Sequence, residues 1–549
     1  MSSFLMRKIV FSILLILCYS LVAHADSDIS FSGSLQHDGL FAMQDDEIGT
    51  EDYSFPYLSN TYLNLMLSSK WVNAGLRVET MEAPLPGYEG GFKGSGIGNI
   101  YIQGKWKWGK LTIGDVYSQF GSGLILRLYE ERNLGIDNSL RGGRLELTPY
   151  KGIRIEAIGG KQRVYWNCYN KTAWNFNMSK GAVVGGDIEL DIDEWSQTMQ
   201  QKGMTLNIGA SWVSKYEPQD TIFKSYAPPT IYNLPRWVGA ADARVQFGYK
   251  GFSLLAEYAW KANDPSADNN FSYAHGEALL LSASYSRRGL SALLQVKRSE
   301  NMAFRSDRLA RGNAAYINHL PPFTQAHTYY LADLNAYATQ LQGEWAFQGE
   351  LRYTWKRHTA MGGKHGTTLR LHAAHIRGTS DKNWWASTKE TYYTDINLEL
   401  NKRISKRWYI NAMYMYQTFN AQVIEGHGEL IRSHIVVADV KYVTSDKVEM
   451  RAELQYLFSR QDEGQWLYAL YELSLFNDLM ITVSDMYNIG GTDISSRLNY
   501  YMVAASYQKG AHNISLGFGR SRAGYSCVGG VCRFVPAEKG VRINYNFTF

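Results

Sequence analysis

Nine consecutive residues, Val448-Glu449-Met450-Arg451-Ala452-Glu453-Leu454-Gln455-Tyr456, place an apolar side chain at every even number and a polar one at every odd number. Successive side chains of a strand point to opposite faces, so this segment has one greasy face and one wet face and cannot be a core strand buried on both sides. The pattern recurs along the chain. Val72, Ala74, Leu76 and Val78 oppose Asn73, Gly75, Arg77 and Glu79; Ile153, Ile155 and Ala157 oppose Arg154 and Glu156; Ala241, Ala243, Val245 and Phe247 oppose Asp242, Arg244, Gln246 and Gly248; Asp395 to Leu400 repeats it. Beyond the N-terminal leader no apolar run is long enough to cross a bilayer as a helix. If such strands cross a membrane, the apolar face must point outward and the polar face toward a lumen.

The two ends of the chain agree with export to a membrane. The last nine residues put Val541, Ile543, Tyr545, Phe547 and Phe549 on one face and Arg542, Asn544, Asn546 and Thr548 on the other. A closing strand that ends on aromatics resembles the C-terminal assembly signal of bacterial outer-membrane β-barrels, carried here by Tyr545, Phe547 and Phe549, and it implies the barrel assembly machinery as a partner. At the other end Arg7 and Lys8 precede an apolar stretch from Ile9 to Val22, and Ala23-His24-Ala25 offers the small residues a signal peptidase reads. Residues 1–25 are therefore expected to be a cleaved signal peptide and 26–549 one β-barrel domain. Cys18 lies inside the leader behind Leu17, which is too large for a good lipoprotein cleavage site. The 56 Lys and Arg, two of them in the leader, oppose 51 Asp and Glu. The mature chain is close to neutral, and no basic block points to nucleic acid.

Connection lengths give the number and orientation of the strands. Short connections at Lys107–Lys110, Tyr150–Gly152, Tyr249–Gly251, Arg287–Gly289, Thr444–Asp446, Phe476–Asp478 and Lys509–Ala511 alternate with long ones at roughly 44–56, 82–96, 164–180, 215–236, 262–274, 300–342, 418–429 and 521–538. Read as periplasmic turns and extracellular loops, they predict about 24 strands, within a range of 22–26. Proline cannot donate to a strand ladder, and 11 of the 12 prolines fall in the long loops, with Pro149 at a short turn. Trp71, Trp108, Tyr150, Phe252, Trp408 and Phe476 flank short turns, as an interfacial aromatic girdle requires.

Three features interrupt or decorate this rhythm. Cys527-Val528-Gly529-Gly530-Val531-Cys532 reads as a two-residue hairpin in which Cys527 opposes Cys532, close enough for a disulfide in an oxidising compartment. Thiol redox chemistry and a metal clip are the alternatives, the latter half-built with two thiolates. Cys168 has no sequence neighbour to pair with. The stretch 115–142 breaks the alternation with dense glycine and mixed charge. It is expected to fold against the lumen as a constriction or plug, with Asp115, Arg127, Glu130, Glu131, Arg132 and Asp137 at the constriction, or else to form a mobile outer loop. Its glycines lack the Gly-Lys-Ser/Thr of a phosphate-binding loop. The lumen wall is expected to carry Arg77, Glu79, Arg154, Glu156, Asp242, Arg244, Glu257, Glu399, Glu449, Arg451, Glu453 and Arg542, as a selectivity surface or as cross-strand ion pairs tying the wall together. No histidine spacing predicts a metal, no cofactor is expected, and no nucleophile, base and acid stand together as in a hydrolase, so catalysis is not expected.

Gln119-Phe120-Gly121-Ser122-Gly123-Leu124, Tyr129-Glu130-Glu131-Arg132, Leu134-Gly135-Ile136-Asp137-Asn138, Asn318-His319-Leu320-Pro321 and Cys527 to Arg533 together resemble an uncharacterised family of Bacteroidota outer-membrane β-barrels. The resemblance covers most of the mature chain and implies residence in a Gram-negative outer membrane, among its lipid and lipopolysaccharide, with no activity attached. Two roles fit the residues. The first is a passive channel for hydrophilic solutes, since no plug-sized domain separates Asp26 from the first strand near Ile29, as an energised receptor would need. The second is a scaffold that exports or displays a surface lipoprotein or secreted protein, with the aromatic loops Tyr216–Trp237 and Tyr316–Tyr337 as its docking surface.

Overall fold

The computed structural model describes residues 29–166, 176–226, 228–380, 382–490 and 497–549. The expected leader and Cys168 lie outside these residues. Among the described residues, 24 long antiparallel strands form one closed sheet, each pairing with its neighbour in sequence. Closure comes from the two ends: Glu538–Thr548 pairs with His512–Ser521 on one side and with Ile29–Ala42 on the other, from Ser34↔Thr548 to Ala42↔Gly540. Phe549 completes the seam, exchanging backbone hydrogen bonds of 2.9 and 3.0 Å with Gly33. No described helix is long and apolar enough to cross a membrane.

The side chains alternate inside-out relative to a water-soluble protein. Along Val448–Ser459, Leu454 is 53% exposed while Gln455 beside it is fully buried. Along Ser387–Arg403, Ile396, Leu398 and Leu400 stand exposed while Asp395 and Asn397 are buried. Leu294, at 63%, is among the most exposed apolar residues, and Lys297 on the other face of the same strand is buried. A belt of exposed Leu, Ile and Val enclosing buried amides and charges is the arrangement lipid demands. Trp71, Trp108, Tyr150, Phe252, Trp408, Phe476 and Tyr507 are exposed beside the short turns, and Trp212, Trp237, Trp260 and Trp385 toward the other rim, giving two aromatic girdles.

Turn chemistry sets one rim. Lys250-Gly251 and Phe476-Asn477 adopt positive φ, the geometry that matches a tight hairpin to the strand twist. Two connections there are longer than the sequence rhythm anticipates: 356–366, and 192–203, which holds the 3-10 turn Ile192–Trp195 and the helix Gln197–Lys202 between a Ser196 cap and Gly203. Pro149 sits within Leu140–Tyr150, where the register against Ile153 slips. At the long-loop rim the connections 380–386 and 460–465 are short.

The lumen departs most from the expected polar channel. Met413, Met415, Ile435, Val437 and Leu457 face inward, fully buried against Tyr329, Leu331 and Ala332. Phe120, Leu124, Ile125, Leu126 and Leu128 pack with Phe304, Ile317, Leu320 and Phe323 in a second core. The segments 117–139 and 301–342 both fold into the lumen from the long-loop rim and fill that half of it.

Substituting Leu454→Arg in the lipid-facing row should cost about 2–4 kcal/mol if it sits near the bilayer midplane, measured by urea unfolding of the barrel in lipid vesicles. Glu449→Gln on the opposite face of the same strand should change stability little. Equal effects of the two substitutions would contradict the assigned faces.

Candidate functional site

The two inserted segments are hydrogen-bonded into one unit. Arg127 N donates to Ile317 O at 2.8 Å, His319 N to Gly123 O at 3.0 Å, and the Asn318 amide to Leu124 O and Met302 O at 2.9 and 2.7 Å. Asn138 and Gln162 both donate to Tyr316 O. An irregular segment inside a barrel leaves many backbone carbonyls without a ladder partner, and such buried acceptors are costly unless satisfied.

Three buried wall lysines supply the missing donors. Lys215 Nζ donates to Arg305 O at 2.8 Å, Lys261 Nζ to Ala303 O at 2.5 Å, and Lys297 Nζ to Pro321 O. Lys215 and Lys261 flank the Phe304 ring. Two of the cations are paired with carboxylates of the same rim: Lys215 lies 2.8 Å from Asp264 and Lys297 2.7 Å from Glu344. Glu344 also accepts from Tyr337 Oη and, at 2.8 Å, from Gln340 N. The Lys297–Glu344 pair on neighbouring strands thus grips the segment at Pro321, Tyr337 and Gln340. Glu217 holds Arg308, and Asp268 holds Arg305. The far wall adds Leu331 N to Gln455 Oε1 at 2.8 Å, His327 to Asp395 at 2.7 Å and Asn397 to Gln325 at 3.1 Å.

The shorter segment is anchored by ion pairs that the sequence picked out singly. Arg77 contacts Glu79 and Glu130, both at 2.7 Å, and Asp137; Arg163 contacts Glu79 at 2.7 Å and Asp137 at 2.5 Å. Burial pushes the Asp137 carboxyl up, but Arg163 and Arg77 outweigh it and hold it down at about 2. A depressed carboxyl stabilises the fold fully above its ordinary range near 4, and that contribution fades only as the pH falls toward 2. Arg132 joins the cluster through Glu130 at 2.6 Å and Gln36 at 2.7 Å. Glu257 accepts from Ser122 N, and Glu156 takes Arg144 and Ser118.

Of the six residues expected at a constriction, Arg127, Glu130, Arg132 and Asp137 belong to the inserted segment and its anchors. Glu131 accepts from Asn133 N at 3.2 Å and caps the turn Arg132–Leu134. Asp115 does not face the lumen. Strand alternation puts it on the outward side with exposed Ile113, where it takes Arg141 at 2.8 Å and the Ile100 amide at 2.8 Å. That amide lies just past the end of the pairing between Gly94–Trp106 and Gly109–Val116, so the carboxylate replaces a ladder bond.

The wall charges pair across the ladder. Arg244 reaches Asp187, Glu189 and Asp242; Arg451 reaches Asp439 at 3.0 Å and also Glu453; Arg154 reaches Glu189 at 2.5 Å; Lys441 meets Glu449, and Arg542 meets Glu538. Exposure falls steadily along these rows. Glu449 and Arg451, near the short turns, border a water-accessible space of about 540 Å³, whereas Glu453 and Gln455 farther up are buried beneath the inserted chain. The lumen is a wet, charge-lined vestibule on the short-turn side and a packed core on the other.

Over the packed half lies the hairpin of Gly524–Val528 and Val531–Val535. Its Cys527 and Cys532 face each other in register and form a disulfide, as the Gly529-Gly530 turn anticipates. Its tip rests on the longer insert, with Thr339 N donating to Gly530 O at 3.0 Å and Asn313 to Cys532 O at 3.3 Å. A Cβ on Gly530 would meet the Thr339 hydroxyl at 2.6 Å and Pro322 at 2.8 Å, so only glycine permits this approach. His319, beneath the tip, is pushed down to about 3 by burial and by Arg127 and Lys297, so its ring is neutral.

The length of 300–342 predicts an outer loop and its aromatics a docking surface at Tyr316–Tyr337; instead this stretch is largely buried. A signal was present: from Asn313 to Gln342 the only Lys, Arg, Asp or Glu is Asp333, a composition suited to a core.

The profile of a family of unknown function, DUF6029, matches residues 6–549. The chain belongs to that family. No curated protein matches this DUF6029 member in sequence. Among solved structures it is similar to a ferric enterobactin receptor from Pseudomonas aeruginosa, at 10% identity over 95% of this chain and 80% of that one, with a TM-score of 0.43. The P pilus usher translocation pore matches at 10% identity over 95% and 98%, TM-score 0.35. OccAB3 of Acinetobacter baumannii matches at 10% identity over 72% and 98%, TM-score 0.32. At this level of similarity nothing follows about cargo. Among the described residues no group of three or more His, Cys, Asp or Glu is arranged to hold a metal ion.

Replacing Lys297→Met leaves Glu344 buried without its cation, and such a loss costs about 3–5 kcal/mol. The expected readout is faster proteolysis within 301–342 of the folded barrel. The double replacement Lys297→Met with Glu344→Leu should recover part of the protection. Unchanged proteolysis in the single variant would contradict the anchoring role.

Proposed function

We propose that the protein is an outer-membrane channel for small hydrophilic solutes, closed at rest by its own chain and opened when the segment 301–342 leaves the lumen. Export through the N-terminal leader would bring it to that membrane, with lipid and lipopolysaccharide against the apolar belt. One observation supports this reading above the others: the same lumen is wet and lined by paired charges in one half and filled, in the other, by chain held through side-chain contacts. The wall ladder is continuous without those contacts, so the insert can be exchanged for water without opening the barrel. Paired charges of both signs in the vestibule suit neutral or zwitterionic solutes better than one sign of ion. The role proposed is passage without catalysis. Solute and insert cannot occupy the lumen together.

Planar bilayer recordings test this. The native protein should show rare, small openings, and a variant in which 305–339 is replaced by a short Gly-Ser linker should give stable steps several-fold larger. A linker variant that folds into vesicles and conducts nothing would instead support the scaffold role.

A further inference from the structure

A cleft of about 250 Å³ lies at the long-loop rim where four pieces of chain meet: the insert around Asn318–Leu341, the shorter segment at Tyr129–Asn138, the turn at Ile424-Glu425 and the disulfide hairpin. Its polar groups divide into two sets. Asn138, Asn313 and Asn318 are engaged, donating to the carbonyls of Tyr316, Cys532 and Leu124. The Asn335 side-chain amide, the Tyr129, Tyr525 and Thr339 hydroxyls and the Glu425 carboxylate have no hydrogen-bond partner among the described residues, and the His427 ring stands 3.8 Å from Glu425. Polar groups left free where chain segments converge are the usual mark of a ligand site.

The free groups also define the ligand. No Lys or Arg lines the cleft, and Glu425 is its only carboxylate, so anions are disfavoured. Burial raises the Glu425 carboxyl, which weakens its pull on a full cation. Tyr525 is 42% exposed at the edge and offers a flat apolar surface beside Glu425. A carboxylate accepts from two adjacent hydroxyls, an amide and two phenols can both give and take hydrogen bonds, and an aromatic ring covers an apolar ring face. We infer that this cleft binds a neutral saccharide unit bearing adjacent hydroxyls, seated between Tyr525 and Tyr129 with its diol on Glu425 and Asn335. The inference rests on the gated-channel reading, with the saccharide as the solute recognised before passage. Because insert and hairpin both line the cleft, occupancy bears directly on the contacts that keep the lumen filled.

Calorimetric titration of the full-length barrel in a detergent without a sugar headgroup tests it, with maltotriose, xylotriose, chitotriose, trilysine and trigalacturonate as probes. At least one neutral trisaccharide should bind. Glu425→Gln and Tyr525→Ala should each weaken that binding about tenfold, the loss of one good polar or stacking contact, and the two charged probes should not compete. No binding by any neutral probe, affinity unchanged in both variants, or preferential binding of trilysine would each overturn the inference. Conduction by the linker variant together with no saccharide binding by the full-length barrel would remove this site and leave the gated channel standing.

Discussion

A strand in lipid has no water to satisfy its backbone, so every N–H and C=O must find a neighbouring strand. That requirement fixes the closure between Ile29–Ala42 and Glu538–Thr548, and the rest of the molecule follows from it. Once the sheet is closed, alternation sends Leu294, Leu454 and Val503 to lipid and Lys297, Gln455 and Asn397 inward. The terminal aromatics make the last contact, with Phe549 hydrogen-bonded to Gly33 and its ring against Phe31.

Closing so many strands creates the next problem. A wide barrel leaves a lumen that its wall side chains cannot fill, and it must hold water or chain. This one holds both. The inserted chain carries the backbone groups that a barrel wall excludes, and buried cations resolve the conflict: Lys215, Lys261 and Lys297 donate to its carbonyls while Glu217 and Asp264 offset the charge of Lys215 and Glu344 that of Lys297. Buried pairs of this kind add little net stability, because the desolvation they require offsets most of their attraction. They fix where the insert sits without making its removal prohibitive, which is what a gate requires.

The wall was legible in the sequence because its rules are local. Period-2 alternation, the proline map and the turn glycines each report on a few neighbouring residues, and together they give the strands, their number and the stapled hairpin. The filling was harder to read because it depends on contacts distant in sequence. Ile431, Ile435 and Val437 alternate with Val436, Ala438 and Val440, so Leu430–Ser445 reads as apolar on both faces, a signature of insert packed against the wall that looks like a fault in the pattern. Asp115 misled for a similar reason. Its charge suggests the lumen, but the short ladder beside it leaves the Ile100 amide without a strand partner, and the carboxylate accepts from it instead. Arg163 carries no local signal, because its partners Glu79 and Asp137 come from elements far apart in the chain.

Displacement of 301–342 from the wall is the step on which the account stands. Cysteines placed at Leu331 and Gln455, where the Gln455 side chain reaches across to the Leu331 amide at 2.8 Å, and joined by a short bis-thiol bridge that carries a reducible disulfide, can hold that step closed in a background where Cys168, Cys527 and Cys532 are serine. Recorded in a single bilayer, the openings should disappear when the bond forms and return when it is reduced. Openings of the same size and frequency in the oxidised and reduced states would contradict the gate.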